Sequence, residues 1–124
     1  MRVLLDTHVL LWTQGDPRKL DSAVIALLDR SPVFVSAASI WEISVKAAIG
    51  KLKLTPRIVV TAIDQAGFQL LPVNAEHAAR VYDLDVAHSD PFDRLLVAQA
   101  QVESMTLLTR DASLAAFGDS VRVV

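Results

Sequence analysis

Two kinds of segment alternate along the chain. Short apolar runs bounded by turn residues or acids predict strands, and the first run predicts a buried one, since a strand covered on both faces needs no polar alternation. Such runs occur at 3–5, 33–35, 68–71, 106–108 and 121–124. The segments between them carry apolar residues at the three- and four-residue spacing of a helix with one buried face.

Breakers and capping residues delimit the helical segments. The first two end at Gly15–Pro17 and Ser31–Pro32, and the next two are followed by Gly50 and Gly67, as expected just beyond a helix end. The pattern predicts helices, the last a short turn, over residues 7–15, 20–30, 39–49, 56–66, 75–82, 91–103 and 112–117.

This alternation defines a fold class. Strands that alternate with helices predict an α/β domain with a mostly parallel sheet and helices on both faces. No repeat, low-complexity tract or linker divides the 124 residues, so 1–124 are expected to form one domain. A domain of this size buries roughly two-thirds of its unfolded surface and needs no disulfide or structural metal to fold.

Composition narrows the class of protein. The chain has no cysteine, which excludes disulfides, thiolate metal sites and cysteine nucleophiles. Hydrophobic residues make up 52% of it, yet no apolar run approaches the roughly 18 residues of a membrane span. Asp6 follows the start too soon for a signal peptide. We therefore expect a cytoplasmic protein without a membrane segment, whose apolar content favours a subunit interface.

Charge limits how the chain could meet nucleic acid. The net charge of −2 argues against binding by bulk positive charge but permits an enzyme that touches a few phosphates. One stretch without acids, residues 43–63, carries Lys46, Lys51, Lys53 and Arg57. It is equally compatible with a nucleic-acid contact and with a solvated surface.

Four acids are placed alike relative to the predicted elements. Asp6 follows the first strand and Asp111 follows the fourth. Glu42 and Asp93 lie in the first turns of the helices that follow the second strand and precede the fourth. Because strands end and helices begin at the same edge of a parallel sheet, all four should meet at the carboxyl edge, where such folds build their sites.

Helix capping is the competing interpretation of each acid. Asp6 and Asp111 stand where N-caps are favoured, Ser39 and Glu42 have capping-box spacing, and Glu42 with Lys46 forms an i,i+4 pair. Capping does not explain why all four share one edge. Carboxylates crowded there repel one another unless some are protonated or a cation binds. Oxygen ligands favour Mg²⁺ or Mn²⁺, which activate water and clamp a phosphate, so the chemistry fits a phosphodiesterase.

Four stretches covering nearly the whole chain carry a family resemblance. They are LLDTHVLLW at 4–12, SAASIWEI at 36–43 with Lys46 and 50–52, DPFDRLLVAQA at 90–100, and LTRD at 108–111. In this order and spacing the chain resembles the PIN-domain nucleases, specifically the bacterial VapC-type toxins of toxin–antitoxin pairs. The resemblance implies a three-layer α/β/α domain whose five-stranded parallel sheet has the order 3-2-1-4-5.

The resemblance also implies an activity and a site. The activity is that of an endoribonuclease that uses Mg²⁺ or Mn²⁺. The implied partners are a second copy of the chain, in a homodimer, and a cognate antitoxin, in a toxin–antitoxin hetero-oligomer. The catalytic and metal-binding acids match Asp6, Glu42, Asp93 and Asp111. Asp6 and Asp93 correspond to the core ligands, Glu42 to a ligand or a residue that orients water, and Asp111 to the most variable position.

Positions beside the acids are candidates for contacts with the RNA. Thr7 and Thr109 match hydroxyl positions that hold a phosphate oxygen or a water, and Lys46 is a candidate phosphate contact. One departure concerns residues 84–89. Similar proteins often carry a proline and a basic, histidine-rich stretch before the DPFD motif, and this chain reads LDVAHS there.

Other polar and aromatic residues near the motifs are expected to play structural roles or to contact the substrate. Asp90 is either an N-cap before the proline or a fifth acid of the site, with the cap favoured. His8 and His88 are more often structural than catalytic in such positions, and Arg94 is expected to pair with an acid or touch a phosphate. Both tryptophans are expected in the core or an interface, not stacked on bases.

Two rival classes of function remain. A phospho-acceptor domain of the response-regulator kind also combines about 120 residues, a parallel sheet and an acidic Mg²⁺ pocket. Domains of that kind carry a pair of acids after the first strand and a lysine at the end of the fifth. This chain has the single Asp6 after its first strand, and its last strand ends without a lysine. The second rival is a non-catalytic α/β interaction module whose acids are only caps.

Overall fold

A computed structural model describes residues 1–124. The strands are β1 (Val3–Leu5), β2 (Val33–Ser36), β3 (Gln69–Leu71), β4 (Thr106–Thr109) and β5 (Val121–Val123). The helices are α1 (Thr7–Gly15), α2 (Ser22–Asp29), α3 (Ala37–Ala48), α4 (Pro56–Gln65), α5 (Ala75–Arg80) and α6 (Pro91–Glu103). Short 3₁₀ helices cover Pro17–Lys19, Val81–Asp83 and Ala112–Phe117. None of the helices combines the length and the apolar character that crossing a membrane would require.

The sheet confirms the predicted architecture. All five strands are parallel and lie in the order β3-β2-β1-β4-β5. Leu5 at the end of β1 is level with Val35 in β2 and Leu108 in β4, so the residues after these strands start from one edge. Because β1 pairs with β2 and β4, the topology differs from the 2-1-3-4-5 order of flavodoxin-like signalling domains. The response-regulator alternative is therefore wrong.

Two apolar clusters cover the two faces of the sheet. Successive side chains of a strand point to opposite faces, so Val3 and Leu5 pack in one cluster and Leu4 in the other. The first cluster draws on α1 to α4 with residues such as Ile43, and the second draws on α6 with residues such as Leu96. A strand buried on both faces explains the unbroken apolar run at the start of the sequence.

The start of α3 differs from the prediction. The helix begins at Ala37, two residues early, because Ser36 ends β2 and also caps the helix, accepting a bond from the Ala38 backbone N–H at 3.0 Å. The capping box expected between Ser39 and Glu42 is therefore wrong. Glu42 lies in the second turn of α3, where its side chain is buried.

Smaller differences affect other boundaries and the tryptophans. Asp21 caps α2, which spans one fewer residue at its end and two fewer at its start than expected, and the helix after β3 tightens into a 3₁₀ turn beyond Arg80. Trp12 packs partly buried against the first cluster. Trp41 is 60% exposed and is therefore not a core residue.

Candidate active site

Asp6 is held between the ends of β1 and β4. It is the first residue after β1 and is only 6% exposed. Its Oδ1 accepts a hydrogen bond from the backbone N–H of Val9 at 2.8 Å, so it caps α1 as the capping interpretation expected. Its Oδ2 accepts a bond from the hydroxyl of Thr109, the last residue of β4. One carboxylate can therefore cap a helix and also belong to a site, as Asp6 does here with one oxygen for each contact.

Glu42 is joined to α1 and to a lysine. Thr7 Oγ1 donates to Glu42 Oε1 at 2.6 Å and lies 3.1 Å from the Ser39 hydroxyl. Lys46 Nζ lies 2.6 Å from Glu42 Oε2, forming the i,i+4 pair that the sequence predicted. The hydrogen bond that Lys46 donates to Glu42 raises the pKa of the lysine, which therefore stays charged. Lys46 thus balances part of the negative charge at this edge.

Asp93 lies in the first turn of α6. Asp90 caps this helix, accepting bonds from the backbone N–H groups of Phe92 and Asp93 at 2.8 and 3.2 Å, which confirms the predicted cap. Asp93 Oδ2 is 2.9 Å from Nε2 of His88. A carboxylate oxygen only accepts, so the imidazole is the donor in this bond.

Asp111 lies in the turn that follows β4. It is exposed, and its Oδ1 accepts bonds from the backbone N–H of Ser113 at 2.9 Å and from its hydroxyl at 2.6 Å. These bonds lower the pKa of Asp111, which remains a carboxylate. Its own backbone N–H donates to the Thr109 hydroxyl at 3.0 Å. That hydroxyl therefore joins Asp111 to Asp6.

The predicted acids fall into two groups along one edge. Ligand atoms of His88, Asp93 and Asp111 all lie within 4.8 Å of one another. Asp6 and Glu42 lie outside this group, and their oxygens are bonded to threonines and to Lys46. The sheet edge collects all four acids as expected, but its closest cluster includes a histidine in place of two of them.

The chemistry of the edge suits a divalent cation. Burial raises the pKa of Asp6 and of Asp93 above the usual range of a carboxyl group, so ionising them costs free energy that a bound cation would return. Carboxylate and hydroxyl oxygens are the donors that Mg²⁺ and Mn²⁺ prefer. Repulsion among the carboxylates is reduced not only by protonation or a metal ion, since Lys46 already compensates the charge of Glu42.

The raised pKa of Asp6 predicts a stability gain on neutralisation. A raised folded-state pKa means that wild-type stability is lost as pH rises through that pKa. Asp6→Asn keeps the cap and removes the charge, so we expect a gain on the order of 1 kcal/mol at neutral pH. The gain should vanish in acid, where Asp6 is protonated. Denaturant unfolding at several pH values measures it.

A matched control separates capping from burial. Asp21 caps α2 in the same way, accepting from Val24 N–H at 3.0 Å, but it is exposed. Asp21→Asn should change stability by no more than about 0.5 kcal/mol at any pH. Destabilisation of Asp6→Asn at neutral pH would mean that the contacts of the charged carboxylate stabilise the fold by more than its burial costs, and would contradict the predicted gain.

Sequence reasoning missed three side chains around the acids. His88 was favoured as structural, yet it bonds the carboxylate of Asp93. Arg94 pairs with no acid and instead donates to four backbone carbonyls. Ser39, taken for a cap, is buried beside Thr7. Of these three contacts, only the bond of His88 to Asp93 had a signal in the sequence, which is the position of His88 two residues before the DPFD motif.

These features define a parallel α/β domain with an acidic site at the carboxyl edge of its sheet. The family model described as PIN domain matches residues 3–119, so the chain belongs to the PIN domain family. PIN domains are generally nucleases. A search of curated proteins found no significant match to the chain.

Solved structures share the fold over the whole chain. A chain of FitAcB from Neisseria gonorrhoeae is 25% identical, with a TM-score of 0.66 and coverage of 98% of this chain and 95% of that one. A chain of a toxin–antitoxin complex from Klebsiella pneumoniae is 21% identical, with a TM-score of 0.69 and coverage of 97% and 95%. A chain of VapBC2 from Rickettsia felis, bound to a promoter DNA fragment, is 14% identical, with a TM-score of 0.75 and coverage of 100% and 98%.

Proposed function

We propose that this chain is a VapC-type toxin, a metal-dependent endoribonuclease that hydrolyses RNA phosphodiester bonds in the cytoplasm. One observation carries the proposal. Asp6 and Asp93, on the shared edge of a PIN domain, are both carboxyls whose pKa is raised by burial. Perturbed acids collected at one edge of a fold are typical of a site that works on charged ligands.

Each acid has a role in the proposed site. Asp6 and Asp93 would hold Mg²⁺ or Mn²⁺, and Asp111 would add an exposed carboxylate beside Asp93. A cation bound there would supply a water of lowered pKa and would stabilise the charge on the phosphate. Glu42, fixed by Thr7, either ligates or orients the attacking water through an oxygen lone pair that its hydrogen bonds leave free.

Few groups are needed to hold the RNA. Lys46 is 42% exposed at its side chain, so its ammonium group can meet a phosphate while remaining paired with Glu42. The hydroxyls of Thr7 and Thr109 border the acids and can orient a phosphate oxygen or a water. A chain with net charge −2 then binds RNA through these local contacts, and its affinity should depend only weakly on salt.

The proposed partner is a cognate antitoxin that covers this site. Support comes from the shared fold with the Klebsiella pneumoniae chain, which was solved as a toxin–antitoxin complex. A second copy of the chain is the other proposed partner, within a homodimer or a toxin–antitoxin hetero-oligomer. An apolar stripe on α3, formed by Trp41, Val45 and the following Ile49, is exposed by 60, 38 and 62% and supports the dimer.

A charge placed on that stripe should separate the dimer. In Ile49→Glu a carboxylate would have to be buried against apolar surface without a partner, which costs several kcal/mol. We expect light scattering after size-exclusion chromatography to give the dimer mass for wild type and the monomer mass for the variant. Ile25→Glu, on an exposed position of α2, should stay dimeric. A monomeric wild type at micromolar concentration would contradict the homodimer.

Cleavage of purified RNA tests the activity directly. The protein is incubated with total RNA, and in parallel with single-stranded DNA, in Mg²⁺, in Mn²⁺ and in EDTA. Discrete RNA products that disappear in EDTA would support the proposal, and their ends would begin to define the target. Absence of both metal binding and cleavage would favour the non-catalytic interaction module, and cleavage of DNA alone would overturn the RNA assignment.

A further inference from the structure

Arg94 binds the loop that precedes α6. Its Nη1 donates to the carbonyls of Val86 and His88 at 2.8 and 3.4 Å, and its Nη2 to those of Val81 and Leu84 at 3.2 and 3.3 Å. The planar fork of guanidinium donors suits such divergent acceptors, which the single ammonium of a lysine does not reach together. One side chain therefore gathers four carbonyls.

The loop has almost no other support. Residues 85–89 form no helix or strand and make no backbone–backbone hydrogen bond. Apart from the bonds to Arg94, the bond that holds these residues to the domain is the one from the His88 ring to Asp93. The conformation of this loop therefore depends on Arg94 to an extent that is unusual for one side chain.

The loop places one functional group against the site. The His88 imidazole lies 2.9 Å from Asp93 Oδ2, and its ring meets the edge of Phe117 with centroids 6.1 Å apart. The ring is thus confined on one side by the carboxylate and on the other by the turn after β4. A donor fixed in this way selects one orientation of the Asp93 carboxyl group and leaves Oδ1 free.

We propose that His88 is a positioning residue for Asp93 and that Arg94 acts through the loop to hold His88 in place. This inference rests on the proposed metal-dependent function, since Asp93 is the proposed ligand. Hydrogen bonds to a ligating carboxylate fix its geometry, and their loss typically weakens metal binding about 10- to 100-fold. Residues 84–89 depart from the usual basic, histidine-rich stretch but keep His88, the side chain that bonds Asp93.

Mn²⁺ titration of the purified protein, followed by EPR of the free ion, tests the proposal. His88→Ala should weaken Mn²⁺ binding by about 10- to 100-fold, and His88→Gln, which keeps an N–H donor, should recover most of the loss. Arg94→Lys should weaken binding as well. Because Arg94 acts through His88, the double variant Arg94→Lys/His88→Ala should bind no more weakly than His88→Ala alone.

Amide hydrogen exchange and the coupling of bound Mn²⁺ to histidine nitrogens complete the test. Amide hydrogen exchange of residues 84–89 in the metal-free protein should rise in Arg94→Lys. The control Arg80→Lys, whose parent side chain bonds Gln101 instead of the loop, should change neither the exchange nor the Mn²⁺ affinity. Unchanged Mn²⁺ affinity in His88→Ala, or additive losses in the double variant, would refute the proposal. Coupling of bound Mn²⁺ to a histidine nitrogen would make His88 a ligand and also overturn it. Absence of Mn²⁺ binding by wild type would instead defeat the metal site itself.

Discussion

We expect Asp93→Asn to abolish RNA cleavage and to weaken Mn²⁺ binding by at least about 100-fold, while the domain stays folded. The variant keeps an oxygen that accepts from His88 but loses the charge that binds the cation. Because burial raises the pKa of Asp93, its ionisation costs stability in the metal-free protein. The melting temperature of the metal-free variant at neutral pH should therefore equal or exceed that of wild type.

The comparison needs a variant with the same chemical change elsewhere. Asp64 lies exposed on α4, where no predicted site residue is found, so Asp64→Asn should cleave RNA and bind Mn²⁺ as wild type does. Cleavage rates, isothermal titration with Mn²⁺ and thermal melts are measured on all three proteins. An Asp93→Asn variant that binds Mn²⁺ normally would remove Asp93 from the site, whatever its activity.

Mn²⁺ should stabilise the domain strongly at neutral pH and weakly in acid. An ion at a hundredfold excess over its dissociation constant stabilises the folded state by about 2.7 kcal/mol. In a domain of this size each kcal/mol shifts the melting temperature by about 4 °C, so the shift should reach roughly 10 °C. Differential scanning fluorimetry with and without Mn²⁺, across a pH series, measures it.

The pH dependence follows from Asp6 and Asp93. Burial raises the pKa of both groups, so they carry protons at pH values where ordinary aspartates are ionised. Without metal, the stability that these protonated groups contribute is lost as pH rises through the raised pKa values. Mn²⁺ replaces the protons, so its effect grows over the same pH range. A shift of equal size at pH 4.5 and 7.5, or one retained in Asp93→Asn, would contradict binding at these carboxyls.

The hydrophobic pattern carried most of the information about the fold. Runs such as Val3–Leu5 have no polar alternation because helices cover both faces of the sheet. An unbroken apolar run therefore indicates a central strand. The pattern does not decide between Ser36 and Ser39 as the cap of α3, since both precede helical apolar positions. That choice depends on where β2 ends, which is set by its pairing with β1 and β3.

The sequence predicted the placement of the acids and the Glu42–Lys46 pair, but not the partners that lie far away along the chain or in a loop. Alternation of strands and helices is sufficient to send Asp6 and Asp111 to one edge. The hydroxyl of Thr109 reaches Asp6 across 103 positions of the chain, and such a pair depends on the register of β1 with β4. The environment of His88 was less predictable still. The loop carrying it has no periodic pattern and takes its shape from a single arginine.

The two apolar clusters that hold the sheet and the helices together contain no acid of the edge, so their packing does not depend on a bound ion. Every acid of the edge also has a partner within the protein, from Thr109 and Lys46 to His88 and Ser113. Treatment with a chelator should therefore yield an inert but intact protein that regains activity when the ion is restored. For the laboratory, the proposed nuclease could then be prepared and stored without the ion and activated within the assay.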